Sequence, residues 1–306
     1  MGIFEKIKKE FYKVLYKVTH SKKYHHNRKL WPDVKITRNK DHEIIELLYK
    51  GEKIPLLGID RIKRGQGGPI LLIASGPSIN DIKFDKKLDI PIMGVNGAYS
   101  LNGVINFSFY VITDIYFPDH RPNIIKEIIS DKNLILFTTV GVIIKIIKKH
   151  SIDFLKCSIF IIEDVYERTY LPKYNFHDLY ISNKENLSFH FDKINNIGFS
   201  TDINEGLFPG KTVIYWALQI ISYLGFEKVY ILGMDMNNFE KPRFYENKND
   251  KVHTQLDIDM DSIMLSLKQA SYVLEQKLGV KVINLSPNSS VPETIFKKSE
   301  FKKYFS

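Results

Sequence analysis

The chain has a single cysteine in 306 residues, Cys157, and that scarcity removes several architectures at once. One thiol can form neither an internal disulfide nor a cysteine-based metal site. A reducing compartment is therefore expected, and Cys157, lying in an apolar stretch, reads as a small buried hydrophobe. Long hydrophobic runs are also missing: none reaches the ~18–20 residues that a membrane-spanning helix needs. The opening MGIFEKIKKEFYKVLYKV is interrupted by charge throughout and is not expected to act as a secretory signal. Glycine-rich phosphate loops are absent. No GxGxxG follows the first strong strand, and Gly206 to Gly210-Lys211-Thr212 is one residue short of GxxxxGK[ST]. This argues against P-loop kinases and NAD enzymes. Negative charge is in deficit, with 44 Lys and Arg against 35 Asp and Glu and a formal net charge of +9. Such an excess suits nucleic acid, an anionic membrane or an anionic substrate. The positive residues are spread along the chain and no RRM, KH or helix-turn-helix signature is present, so nucleic acid is not an expected partner.

What is present is a chain that can bury a core, with 44% hydrophobic and 13% aromatic residues. From residue 69 the pattern alternates strand and helix. Strands are expected at 70–74, 92–95, 109–112, 134–138, 158–162, 229–232 and 280–284. They are continuous apolar runs, as in strands buried on both faces. Helical periodicity marks 124–129, 212–224 and 258–277. The expectation is an α/β fold, a mostly parallel sheet with helices on both faces, spanning residues 66–306. Residues 163–200, with scattered aromatics and no clean period, read as an insertion over one end of the sheet. Residues 1–65 read as a basic amphipathic N-terminal extension. Ile3, Phe4, Ile7, Phe11, Val14, Leu15 and Val18 share one helical face among lysines, a pattern suited to an anionic membrane surface or to packing on the body. Residues 19–40 read as a linker or loop, with His25-His26 as a solvated pair.

Ligands of open parallel sheets sit beyond the carboxyl ends of the strands, so the residues after each strand carry the functional reading. They are Ser75-Gly76-Pro77-Ser78, Asn96-Gly97, Thr113-Asp114, Gly233-Met234-Asp235 and Ser286-Pro287-Asn288-Ser289. Any one of these turns has a structural explanation. Their recurrence along one sheet edge points to a nucleotide or nucleotide-sugar site, with Ser75, Gly76, Pro77, Ser78, Asn96, Gly97, Asp235, Asn288 and Ser289 as its contacts. Gly210-Lys211-Thr212 opens a helix, so its amides, Lys211 and Thr212 could meet an anion. Arg121 and Arg243 could hold a carboxylate or phosphate. Asp114, Asp202 and His253 are the acid–base candidates. The alternating Asp257, Asp259 and Asp261 read as the acidic start of a helix rather than a metal grip, and no metal or other cofactor is expected.

The runs PIMGVNGAYSLNGVINFSFYVITDIYF and IGFSTDINEGLFPGKTVIYWALQIISYLGFEKVYILGMDMNNFEKPRFYENKN resemble the lipopolysaccharide inner-core Kdo transferases of enteric bacteria, which add a side-branch Kdo. The likeness spans about residues 69–290, and P-R-F-Y followed by E-N-K-N is its most specific piece. A looser likeness reaches the bacterial CMP-sialic acid-dependent sialyltransferases, through the GPS turn, the Asn after the second strand and SPNSS. The resemblance implies a GT-A-like single-sheet variant of the Rossmann-like fold. It implies a glycosyltransferase that takes CMP-Kdo or CMP-sialic acid as cosubstrate and a lipid-anchored glycan as acceptor, cytoplasmic and peripheral on the inner face of the membrane. Gly76, Pro77, Ser78 and Asn96 would contact CMP, with Asn288 and Ser289 on its far side. His253 matches the sialyltransferase base by loop position. The Kdo transferases keep no histidine there, which leaves Asp114 and Asp202 as alternative bases. Sialyl transfer to a surface glycan and a non-catalytic nucleotide- or glycan-binding module are the competing readings.

Overall fold

The computed structural model describes residues 3–62, 64–85 and 87–305, with Ile3 described through its backbone alone. In chain order the elements are α1 (Ile3–Thr19), β1 (Val34–Arg38), β2 (Ile44–Tyr49), β3 (Glu52–Lys53), β4 (Pro69–Ile73), β5 (Ile92–Val95) and β6 (Phe109–Ile112). There follow α2 (Phe117–His120), α3 (Pro122–Ser130), β7 (Ile135–Thr138), α4 (Val140–His150), β8 (Ser158–Ile161), α5 (Phe176–Asn183), β9 (Phe189–Asp192) and β10 (Ile197–Ser200). The chain then forms α6 (Val213–Leu224), β11 (Lys228–Leu232), α7 (Met260–Ser271), β12 (Lys281–Asn284), β13 (Lys297–Lys298) and α8 (Lys302–Phe305).

Eight strands form one Rossmann-like sheet in the order β13-β12-β11-β4-β5-β6-β7-β8, and every neighbouring pair is parallel. The central strands are apolar on both faces because both faces are covered. Along β4, Ile70 and Leu72 point into a core shared with α6 and α7. Leu71 and Ile73 point into a second core shared with α3 and α4. α6 illustrates how local sequence bounds an element. The Thr212 side chain accepts from the Ile214 N–H at its start, and Gly225, at φ 81°, closes its end in the left-handed region. Cys157 is buried and free, and burial pushes its thiol up to about 12.

The expected strands all occur, within one residue at each end. Other segments corrected the reading. The supposed linker at 19–40 contains a 3₁₀ segment at Lys22–Lys29 and strand β1. β1, β2 and β3 form an antiparallel sheet whose Val34, Leu47 and Tyr49 join the α3/α4 core. The histidine pair is half-buried rather than solvated: His25 Nε2 lies 2.9 Å from the His20 carbonyl and His26 Nε2 3.1 Å from that of Arg168. Within 163–200 stand α5 and the antiparallel hairpin β9–β10, whose Phe189 and Phe199 belong to the α6/α7 core. Asp259 precedes α7 without a side-chain cap bond and instead lies 3.5 Å from Lys211 Nζ.

Asp164, where the chain leaves β8, bridges by its backbone to Leu207. Its Oδ1 accepts the Tyr166 N–H at 2.8 Å. Burial pushes its carboxyl up to about 6, against the Tyr166 hydrogen bond. The folded chain therefore holds this proton more tightly than the unfolded one, and stability falls as pH rises from about 4 to about 6, then stays level. Asp164→Asn keeps the acceptor and removes the charge. In urea melts the variant is expected to gain about 2–3 kcal/mol over wild type at pH 7.5 and only about 1 kcal/mol at pH 4.5. An equal effect at both pH values would refute the assignment.

Candidate functional site

Strand order reverses between β4 and β11: from β4 the chain builds outward to β8, and from β11 in the opposite direction to β13. At such a switch point the loops leaving adjacent strands diverge and open a crevice. Here a cavity of about 670 Å³ opens, lined by the turns after β4, β5, β6 and β11 and by the start of α6.

The floor is made of interlocked turns. After β4, Ser78 donates to Asp235 through its N–H at 2.8 Å and its hydroxyl at 2.5 Å. The Gly76 N–H donates to the Gly233 carbonyl at 2.9 Å. A Cβ at Gly76 would fall 2.4 Å from Asp235 Oδ2, so only glycine lets the two turns close. Ser286 completes the knot, its hydroxyl 3.1 Å from both Ser78 Oγ and the Gly233 nitrogen. Asp235, expected to touch the nucleotide, lines the cleft, and its carboxylate latches the β4 turn to the β11 turn. Ser75, Gly76 and Pro77 line the cleft and Ser78 lies behind them.

After β5, Asn96 adopts φ 48° and is clamped from below. The Tyr110 hydroxyl donates to the Asn96 carbonyl at 2.7 Å and accepts from the Tyr99 N–H at 2.6 Å. Gly97 lies against Tyr245, whose Cε1 would stand 2.0 Å from a Cβ. The side-chain oxygen of Asn96, at the cleft wall, is buried with no protein partner. A buried unpaired acceptor is costly, and a ligand donor in the cleft would relieve it.

The wall beyond Gly97 carries two arginines. Arg121 and Arg243 both pair with Glu246 Oε1, at 3.0 and 2.8 Å, and the Glu246 side chain is 1% exposed. Two guanidiniums thus share one buried carboxylate, and the Nε of Arg121 is buried without a partner. Tyr245 stands beneath Arg121, ring centroid 5.6 Å from the guanidinium carbon. Burial pushes its phenol up to about 12, so it stays a donor. Lys211, at φ 61°, lines both this cleft and a smaller cavity of about 230 Å³ beside it. Thr212 caps α6 and lines the cleft as well.

Of the acid–base candidates, Asp114 and His253 line the cleft. Asp114 Oδ1 accepts the Tyr116 N–H at 2.8 Å. Asp202 is not brought there: its Oδ1 closes a turn by accepting the Asn204 N–H at 2.9 Å. Asn288 and Ser289 stand behind the β11 loop. The Asn288 carbonyl accepts from Asn237 Nδ2 at 2.6 Å, and the buried Ser289 hydroxyl donates to the Met234 carbonyl at 2.6 Å. Glu246 and Tyr245 also line the cleft, and both lie in the P-R-F-Y-E string. A glutamate in a polar loop carries no sign that it will be buried between two arginines. Among the described residues no three His, Cys, Asp or Glu side chains gather as metal ligands.

The model of the family described as 3-deoxy-D-manno-octulosonic acid transferase WaaZ matches residues 60–299. None of the curated proteins compared with the chain matches it. Among solved structures, it is similar to the sialyltransferase CST-II in complex with a trisaccharide acceptor and CMP, at 12% identity over 75% of this chain and 85% of that one, with a TM-score of 0.39. It is similar also to CstII from Campylobacter jejuni in complex with the substrate analogue CMP-3FNeuAc, at 12% identity over 75% and 86% of the two chains, with a TM-score of 0.38.

Proposed function

The chain belongs to the family of the 3-deoxy-D-manno-octulosonic acid transferase WaaZ and is a glycosyltransferase, and from that premise we propose that it moves Kdo from CMP-Kdo to a lipopolysaccharide core acceptor. The observation that carries the donor reading is the division of the cleft into two chemistries. Asn96 offers an unpartnered amide oxygen, matched to the exocyclic amine of cytosine or a ribose hydroxyl. Arg121, Arg243 and Lys211 line the cleft and, although Glu246, Asp250 and Asp259 balance part of their charge, their remaining N–H donors match a phosphate and a sugar carboxylate.

In the reaction, the acceptor hydroxyl oxygen bonds to the anomeric carbon while the bond from that carbon to the phosphate oxygen breaks. CMP departs with the electron pair as a phosphate monoester, and the hydroxyl proton passes to a base. Asp114 takes that role in this reading. One of its oxygens is fixed by the Tyr116 N–H, and it lies two residues past the end of β6, in a short turn that this hydrogen bond holds in place. The arginine wall meets the charge that grows on the leaving phosphate. No pyrophosphate is released, so a metal bridging two phosphates is not required. EDTA is expected to leave the transfer rate unchanged, and a rate restored only by added divalent cation would refute that. A CMP-activated donor and a lone buried cysteine suit the cytoplasmic side of the membrane.

The test is a donor panel read by CMP release, with and without a lipopolysaccharide core acceptor. CMP-Kdo is expected to be consumed and its sugar transferred. Consumption of CMP-sialic acid instead would move the reading to sialyl transfer, and release from neither donor would overturn it.

A further inference from the structure

Helix α1 is docked the wrong way round for a helix that merely packs on the body. Its apolar residues Phe4, Ile7, Phe11, Val14 and Val18 recur at intervals of three and four and form one stripe. That stripe faces solvent: the five side chains are 80%, 63%, 61%, 60% and 79% exposed. The helix is held by a different face, roughly 140° further round at 100° per residue. There Tyr16, 1% exposed, stacks on His20 with centroids 3.8 Å apart, and Tyr12 and Tyr16 pack on Trp31 at 5.4 and 5.8 Å. The body has taken the aromatic face and left the aliphatic one outside.

The surroundings say what covers it. α1 carries five lysines and two glutamates. By helical position Lys6, Lys13 and Lys17 flank the stripe on one side and Lys8 on the other. The following 3₁₀ segment adds Lys22, Lys23, Arg28 and Lys29. On neighbouring α4, Lys148 is held below the usual lysine range by its burial and then by the nearby charges of Lys9 and Lys50. An apolar stripe bordered by Lys6, Lys13 and Lys17 on one side, with Glu10 paired to Lys13, and by Lys8 on the other matches the boundary of an anionic bilayer, where side chains of the stripe enter the acyl region and lysines reach back to the headgroups. A second copy of the chain fits poorly. Two-fold pairing of the stripe would bring lysine rows together. No helix among the described residues is long and apolar enough to cross a membrane.

We infer that α1 is an in-plane membrane anchor, fixed to the body through Tyr12 and Tyr16, that seats the protein on anionic lipid by Phe4, Ile7, Phe11, Val14 and Val18. This stands apart from the donor reading, since vesicle binding is measured without any CMP-sugar and CMP release can be measured without vesicles. The experiment is cosedimentation of the full chain with vesicles of phosphatidylcholine alone or mixed with phosphatidylglycerol. Binding is expected with the mixed vesicles and is expected to weaken as salt rises. The double variant Phe11→Glu/Val14→Glu is expected to bind roughly tenfold or more weakly, with unchanged circular dichroism and CMP release. Lys6→Gln/Lys17→Gln, which leaves the stripe intact, is expected to reduce the preference for anionic lipid. Wild-type protein that stays in the supernatant would overturn the inference, as would a glutamate variant that binds like wild type. A dimer dissociated by the same glutamates would assign the stripe to a second copy and likewise overturn it.

Discussion

Asp114→Asn is expected to lower kcat for sugar transfer by about 10²–10⁴-fold, the range for removing a positioned general base, while donor KM changes little. The substitution is nearly isosteric and keeps an oxygen for the Tyr116 N–H, which holds Oδ1 at 2.8 Å, so the turn after β6 should survive. What disappears is the ability to accept the acceptor's proton. His253 also lines the cleft, but it sits exposed in the long segment between β11 and α7. His253→Ala is expected to cost less than about tenfold, because a group far along a long loop is less well positioned to take a proton than Asp114, whose carboxylate is oriented by the Tyr116 N–H. Steady-state kinetics of both variants with CMP-Kdo, together with a thermal melt, decide the matter. A large kcat loss in the histidine variant beside a near-normal aspartate variant would transfer the role to His253.

The second large effect concerns stability and lies far from the cleft. Arg38→Ala is expected to cost about 3 kcal/mol, the lower end of the penalty for breaking a buried ion pair, because Arg168 stays beside Glu163. Glu163 is 8% exposed. Its carboxylate accepts from Arg38 NH1 at 2.6 Å and NH2 at 2.8 Å, and from the Thr169 N–H at 2.8 Å. Arg168 Nε adds a contact at 3.3 Å. Burial alone would raise the Glu163 carboxyl, but the Arg38 hydrogen bonds and charge, with Arg168, outweigh it and hold the group below its ordinary range. Its contribution is thus present above the unfolded glutamate range, near pH 4, and lost as pH falls below it. Because Arg38 ends β1 and Glu163 follows β8, the pair ties the N-terminal sheet to the main body. Urea melts at pH 7 should show the loss, and Arg38→Ala/Glu163→Gln should recover part of it by removing the stranded charge. A cost under about 1 kcal/mol, as for an exposed pair, would show that the pair carries little.

The central sheet was legible because buried parallel strands need long apolar runs and little else. ILLI, IMGV and FYVI announce themselves wherever both faces are covered. The N-terminal sheet was not, because VKITR has one buried face and reads as a basic loop. The hairpin β9–β10 hid for a related reason, its phenylalanines alternating with His190, Asp192 and Gly198. At the cleft the turns after β4, β5 and β6 could be named from position alone, since ligand sites in parallel sheets follow from topology. The division of labour among their residues could not. Asp235 and Ser289 occupy suitable positions, yet their polar atoms are consumed by Ser78 and the Met234 carbonyl.

By itself the sequence determined the strand-by-strand α/β plan, the sheet edge that must carry the site, the family likeness and the stripe of α1. These are properties of periodicity and local order, which neighbours along the chain impose. Tertiary structure alone decided which polar groups remain free for chemistry. Asn96 keeps an unpaired side-chain oxygen while Tyr110 holds its backbone carbonyl, Asp202 turns away into its own loop, and Glu246 is buried between arginines 125 and 3 residues distant. A hydrogen bond forms between groups that folding brings together, so its partners cannot be read from spacing along the chain.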